Sequence, residues 1–399
     1  MKRLALLLTL LLLLSACGEA PAEDAVETLA PPVTEQPEPE PIPEPTPEER
    51  YLTETLSSMS IEEKVGQLFF VRCPELNAAE DVATYHLGGI LLFGRDFKDK
   101  TYEEVTANIE SYQSAASLPL FIGVDEEGGT VCRVSSQKQF RSSRFKAPQK
   151  LYRDGGLDAV LAEDAERNAL LRSFGINVNF APVVDISTNP NDFIYDRSLG
   201  QDAATTAEVT KAVVTQMNEK GIASVLKHFP GYGSNVDTHT GVALDERSLE
   251  SFMENDFLPF TAGIEAGSPF VLVSHNIMAD VDASLPASLS PTVHNLLRDK
   301  LHFDGIILTD DLAMEAVEAY AADGSVAVLA ALAGNDDTLE NLDSLTRTFL
   351  DANVNANSVA NTHFGQLSLH ILAAQSLNQI HIFVLLNIGR SCSVSSGDM

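Results

Sequence analysis

The chain has 399 residues, 44% of them hydrophobic, which is enough for one large α/β domain or two small ones. Its formal net charge of −31 argues against nucleic acid or an anionic membrane surface as a partner. Its four cysteines lie far apart without metal-ligand spacing, so neither a disulfide framework nor a metal centre is expected.

Residues 1–17, MKRLALLLTLLLLLSAC, combine a basic start, an apolar run and small residues before Cys17. That is the pattern of a secretory signal, too short to span as an ordinary membrane helix. The ending LSAC resembles the lipobox of bacterial lipoproteins, which implies that Cys17 is lipidated and becomes the mature N-terminus. Residues 18–50 carry ten Asp or Glu and a single Arg50, with proline at alternate positions from Pro37 to Pro47. Such a segment cannot bury enough apolar surface to fold, and its self-repulsion keeps it extended. The expectation is a tethered, extracytoplasmic monomer that meets the membrane through its lipid anchor only.

Folded sequence is expected from Tyr51. Ser60-Ile61-Glu62-Glu63 has capping-box form and predicts a helix start. Short apolar runs then alternate with longer helical patterns. The strand candidates are GQLFFVR (66–72), GGILLF (88–93), PLFIGVD (119–125), INVNFAPVVD (176–185), ASVLKHF (223–229), FVLVSH (270–275) and GIILTD (305–310). An amphipathic stretch at 157–174 predicts a helix that stops at Gly175. Continuous apolar strands separated by helices mean a parallel sheet covered on both faces. Seven such units in a row predict an α/β fold of the (β/α)8 TIM-like barrel type over 51–336.

Several of these strands end in a reactive side chain: Asp125, Asp185, His228, His275 and Asp310. In a β/α barrel all strands point the same way, so these residues converge on the C-terminal face, where active sites sit. The stretch LKHFPGYGSNVDTHTG (226–241) adds Lys227, Asp237 and His239 on a backbone broken by glycine and proline. Asp237 with His228 and His239 could chelate a metal, but an ammonium beside a cation site is repulsive, and Lys227 therefore argues against one. A Lys-His pair among aspartates instead suits a polyhydroxylated ligand held by charge-assisted hydrogen bonds. No cofactor is implied.

Residues 55–336 resemble glycoside hydrolase family 3, of the single-domain β-N-acetylhexosaminidase type. The motifs that carry the resemblance, in order, are LSSMSIEEKVGQLFFVR, GGILLFGR, VDEEGGTVCR, INVNFAPVVD, DRSLG, KHFPGYG, DTH, PASLSP and TDDLAM. The resemblance implies that Asp310 is a nucleophile forming a covalent glycosyl-enzyme, in keeping with a carboxylate at a strand end under a loop-built pocket. It also implies that His239 is the acid/base, oriented by Asp237, a role suited to an imidazole with an unperturbed pKa of about 6.5. Asp125, Arg133 and Arg197 match its sugar-binding positions, beside Lys227 and His228. Arg197 could instead neutralise Asp185, while Glu127 reads as support for the Gly128-Gly129 turn and Asp311 as support for the turn after Asp310.

The implied reaction is retaining removal of terminal β-linked N-acetylglucosamine from cell-wall or chitin-type sugars. Two alternatives stay open on the residues: a glycoside phosphorylase, because neutral imidazole does not repel phosphate, and a non-catalytic sugar-binding lipoprotein. The chain departs from the family pattern in three places. Only Ser234-Asn235-Val236 separate PGYG from DTH, where four residues are commoner, and Tyr232 stands where histidine is frequent. After LAALAGND (329–336) no eighth strand is legible, and the atypical segment 337–399 reflects either a divergent closure or a frameshift.

Overall fold

A computed structural model of the chain describes residues 47–235, 237–238, 241–320, 326–336 and 338–340. The signal with Cys17, most of the acidic linker, His239 and the segment beyond residue 340 lie outside the described residues. The first helix, Pro47–Ser58, begins inside the stretch read as linker. Proline suits a first helical turn, where its missing N–H would have had no partner. The second helix, Ile61–Gly66, carries the expected capping box: Glu63 N–H donates to Ser60 Oγ (3.2 Å) and Ser60 N–H to Glu63 Oε2 (2.7 Å).

The seven expected strands all form. They are β1 (Phe69–Arg72), β2 (Gly89–Leu92), β3 (Phe121–Val124), β4 (Val178–Asn179), β5 (Ala223–Phe229), β7 (Phe270–Val273) and β9 (Ile306–Thr309). Two short strands that sequence patterning missed, β6 (Leu244–Asp245) and β8 (Ile277–Met278), pair in parallel on their own. A last strand, β10 (Thr338–Glu340), pairs in parallel with β1. The main sheet therefore runs β10-β1-β2-β3-β4-β5-β7-β9, and every pairing in it is parallel.

The two edges of that sheet meet at Asp336. Its N–H donates to Ile307 C=O of β9 (2.9 Å), and its carboxylate accepts from Ile307 N–H (2.7 Å) and from Arg298 (2.5 Å). The eighth strand thus lies just past the point where the sequence stopped being readable. With three residues and no apolar run, it owes its place to these contacts and not to β propensity.

The alternation of side chains across each strand separates two cores. Phe70, Leu91, Phe121, Phe180, Val225, Phe270 and Leu308 fill the barrel interior, while Val71, Ile90, Ile122 and Val124 face outward under the helices. Phe70 meets Phe180 edge-on at 5.2 Å and Phe121 meets Phe270 at 5.1 Å. Gly123 makes room for this, since a Cβ there would lie 2.7 Å from both the Phe70 and Phe180 rings. The segment 176–185, read as one strand, is interrupted. Pro182 has no N–H to give the ladder, so pairing stops after Asn179 and resumes only as a bridge between Val183 and Lys227. The long helix Pro148–Ser173, broken at Gly155-Gly156, ends before Gly175 as expected, with Gly175 at φ +87.

Candidate active site

Parallel strands bring Asp125, Lys227, His228 and Asp310 to one end of the barrel, and ion pairing draws them together. Lys227 Nζ donates to Asp125 Oδ1 (2.9 Å) and sits 2.6 Å from Glu127 Oε1. Arg197 grips the same Glu127 carboxylate with two bonds, Nε at 3.0 Å and Nη2 at 2.8 Å. Arg133 closes on the other oxygen of Asp125 at 3.4 Å. Lys227 and Glu127 are almost fully buried, their side chains 3% and 2% exposed. Burial alone would push the Glu127 pKa up, but the Arg197 and Lys227 charges outweigh it and hold the carboxyl well below the usual range. Burial opposes the charge of Lys227 in turn, and Asp125 and Glu127 raise its pKa nonetheless.

His228 belongs to the same network. Its Nε2 lies 3.2 Å from Arg197 Nη2, and its Nδ1 lies 2.7 Å from Asp185 Oδ2, which also accepts the His228 N–H (3.0 Å). An imidazole between a guanidinium and a carboxylate is best held with Nδ1–H on Asp185 and Nε2 free to accept. Arg197 therefore pairs with Glu127 and not with Asp185, whose partner is His228. The other oxygen of Asp185 accepts Tyr232 N–H (2.8 Å), and the Tyr232 ring stands edge-on to His228 at 5.2 Å.

Asp310 follows β9 directly. Its N–H donates to Val273 C=O (2.8 Å), and its Oδ1 accepts the N–H of Asp311 (2.8 Å). Asp311 does fix the turn, accepting Ala313 N–H at 3.0 Å, and it also pairs with Arg72 at the end of β1. His275 spans Ser288 Oγ (2.7 Å) and Asp311 C=O (3.0 Å), so this strand-end histidine buttresses the turn after Asp310 from below. Arg72, Arg95 and Arg133 lie 5.4–5.5 Å from the centre of the Phe93 ring, and the first and last of them carry their charge to Asp311 and Asp125. Tyr232 senses Asp310 electrostatically: burial raises its phenol pKa, and the Asp310 charge raises it further.

The segment after β5 bends at Gly231, which has φ +120 and no room for a Cβ beside Asp256. Arg247 holds this bend from outside, donating to Gly231 C=O (3.2 Å), Asp245 Oδ2 (2.7 Å) and Asp256 Oδ2 (2.8 Å). Asn235 Nδ2 donates to Asp245 as well (2.6 Å). Asp237 is half-buried on this segment, next to the fully buried Thr238. His239 follows them but lies outside the described residues.

The sequence reading missed the role of Glu127, a carboxylate that, like Asp125, has two charged partners at the site. Read as support for the glycine turn, it instead joins Lys227 to Arg197. Its neighbour Glu126 supports the loop, accepting the N–H groups of Arg133 (2.8 Å), Val134 (2.7 Å) and Ser135 (3.1 Å). The available signal was alternation, because residues 125 and 127 share a face when the strand runs on. Chemically, the site offers charged donors and acceptors fixed at one end of the barrel, one strand-end carboxylate with them, and an acidic group on the loop after β5.

Residues 60–373 match the glycosyl hydrolase family 3 N terminal domain. The chain is 33% identical over 328 residues to the beta-hexosaminidase of Stenotrophomonas maltophilia (strain K279a), covering 79% of this chain and 89% of that one. Among solved structures it resembles a glycoside hydrolase family 3 beta-N-acetylglucosaminidase from Paenibacillus sp. str. FPU-7, with TM-score 0.74 and 26% identity, over 86% of this chain and 65% of that one. It also resembles M tuberculosis LpqI, with TM-score 0.71 and 26% identity, over 84% of this chain and 96% of that one. With a barrel of parallel strands and its charged residues gathered at their C-terminal ends, the chain belongs to glycosyl hydrolase family 3 and is a glycosidase.

Proposed function

We propose that the chain is a retaining exo-glycosidase that releases terminal β-linked N-acetylglucosamine from cell-wall or chitin-type oligosaccharides. The observation that carries this reading is the position of Asp310, at a strand end beside a fixed constellation of hydroxyl-binding groups. Support for the acetamido sugar comes from the relatives, named for hexosaminidase and N-acetylglucosaminidase activity. Asp125, Lys227, His228, Arg133 and Arg197 hold the hydroxyls of the terminal sugar through charge-assisted hydrogen bonds. An Asp310 carboxylate oxygen attacks the anomeric carbon as the glycosidic C–O bond breaks, and the departing oxygen takes a proton from His239. Water then attacks the same carbon, gives its proton to His239 and releases Asp310. Asp237 orients the imidazole in both steps.

Asp310→Ala is expected to lower kcat on a chromogenic N-acetylglucosaminide by about a thousandfold or more while leaving sugar binding nearly intact, because a nucleophile acts mainly in the transition state. Inhibition by N-acetylglucosamine measures the binding half. Loss of binding with kcat preserved would contradict the assignment.

His239→Ala is expected to lose far more activity on substrates with poor leaving groups than on activated aryl glycosides, which need little protonation to depart. Azide should restore part of the activity by replacing base-activated water. An equal fall on both substrate classes, without rescue, would make His239 a binding or structural residue.

The same proposal puts the enzyme outside the cytoplasm, held by lipid on Cys17 and spaced from the membrane by the acidic segment before the helix at Pro47. Cys17→Ser should move the protein from the membrane fraction to the soluble one. A processed variant that stays with the membrane would rule out the anchor.

A further inference from the structure

We infer that Tyr232 is a positioning residue for proton transfer, tying the Asp237-Thr238-His239 segment to the sugar-binding clamp. The inference rests on the reading of Asp237 and His239 as the proton-transfer pair. Tyr232 stands where the resembled family frequently has histidine.

The Tyr232 hydroxyl and Thr238 Oγ1 lie 2.5 Å apart, with Tyr232 1% and Thr238 0% exposed. A buried hydroxyl pair of this kind is costly to break, because each oxygen left alone has no water to replace its partner. Thr238 is the residue between Asp237 and His239, so whatever fixes its side chain limits where both neighbours can go.

Tyr232 is itself fixed at three points. Its N–H donates to Asp185 Oδ1 (2.8 Å), the carboxylate that also holds His228. Its ring stands edge-on to the His228 imidazole at 5.2 Å on one side and against Phe193 at 5.6 Å on the other. One side chain thus runs from the clamp that binds the sugar to the segment that carries the proton donor. A histidine at this position would be shorter than tyrosine and end in a ring nitrogen. The phenol reaches two heavy atoms further, and the spacer of Ser234-Asn235-Val236 is one residue shorter than usual. The two departures from the family pattern fall on the same contact, with the longer side chain meeting the shorter loop.

Arg247 and Asp245 hold the other arm of the loop through Gly231 and Asn235. Residues 231–235 are therefore anchored outside, and the Thr238 side chain is anchored inside by Tyr232. Orientation within a few tenths of an ångström decides whether a general acid works, so removal of this contact should act on protonation and spare sugar binding.

The test uses full-length Tyr232→Phe and Thr238→Val, singly and combined, beside His239→Ala. Aryl N-acetyl-β-glucosaminides with good and poor leaving groups are the substrates, and inhibition by N-acetylglucosamine reports sugar binding. Each single variant should lose about tenfold in kcat on the poor leaving group, under about twofold on the good one, and nothing in inhibition. The double variant should be no worse than the weaker single, because both changes break one contact. Thr238→Ser, which keeps the hydroxyl, should retain the wild-type ratio between substrates. Equal losses on both substrates, additive losses in the double variant, or an unchanged ratio in Tyr232→Phe would overturn the inference. If His239→Ala shows leaving-group dependence and Tyr232→Phe does not, this inference fails alone. If neither shows it, the proton-transfer reading fails with it.

Discussion

The site depends on one buried carboxylate. Glu127 joins Lys227 of β5 to Arg197 of the connection after β4, while Lys227 reaches across to Asp125 and Arg197 to His228. Two cations and two anions packed this tightly leave no group free to relax on its own. Removing one member of such a buried set typically costs about 3–5 kcal/mol, because the partners stay behind as uncompensated charges. The depressed pKa of Glu127 contributes stability above the ordinary carboxylate range, and that contribution is lost as the pH falls toward and below that range. What this arrangement provides at neutral pH is geometry: the donors and acceptors proposed to hold the sugar are fixed in advance, so binding would spend little free energy on ordering them.

The two halves of the proposed chemistry rest on differently built parts of the fold. The clamp and Asp310 lie at the ends of β3, β5 and β9, whose register is set by the barrel core and backed by turns such as the one His275 supports. The proposed acid/base lies on a loop that leaves the sheet at Gly231. Its fixed points are side-chain contacts, chiefly those of Arg247, Asp245 and Tyr232. In the proposed mechanism a rigid nucleophile and a loop-borne acid divide the demands of the reaction. The carboxylate must meet a carbon at one place, whereas the acid must reach leaving groups of differing size.

Much of this was legible in the sequence because its physics is local. Seven strands showed as apolar runs, and the reactive residues closing them showed which barrel face mattered. The capping box at Ser60 and the stop at Gly175 needed only neighbouring residues to be read. What stayed hidden depended on partners far along the chain. Alternation could have set Glu127 apart from Glu126, but it could not show that one serves the loop and the other Lys227, a residue of β5 far along the chain. Arg197 could have served Asp185 equally well on paper, and the choice follows from His228 already holding that carboxylate. The interruption at Pro182 was written in the sequence, but the apolar residues on both sides masked it. The strand at Thr338–Glu340 had no pattern to read, because Asp336 and Arg298 place it.

The central claim is that the sugar is transferred to Asp310 before it reaches water. A 2-fluoro-substituted activated glycoside slows release of a covalent intermediate more than its formation, so the intermediate accumulates and can be mapped by peptide mass spectrometry. The account predicts one sugar per chain, ester-linked to the peptide bearing Asp310, and released when an acceptor is added. Labelling at Asp311 or Asp185, or no covalent adduct in an enzyme that still turns over the parent sugar, would contradict it.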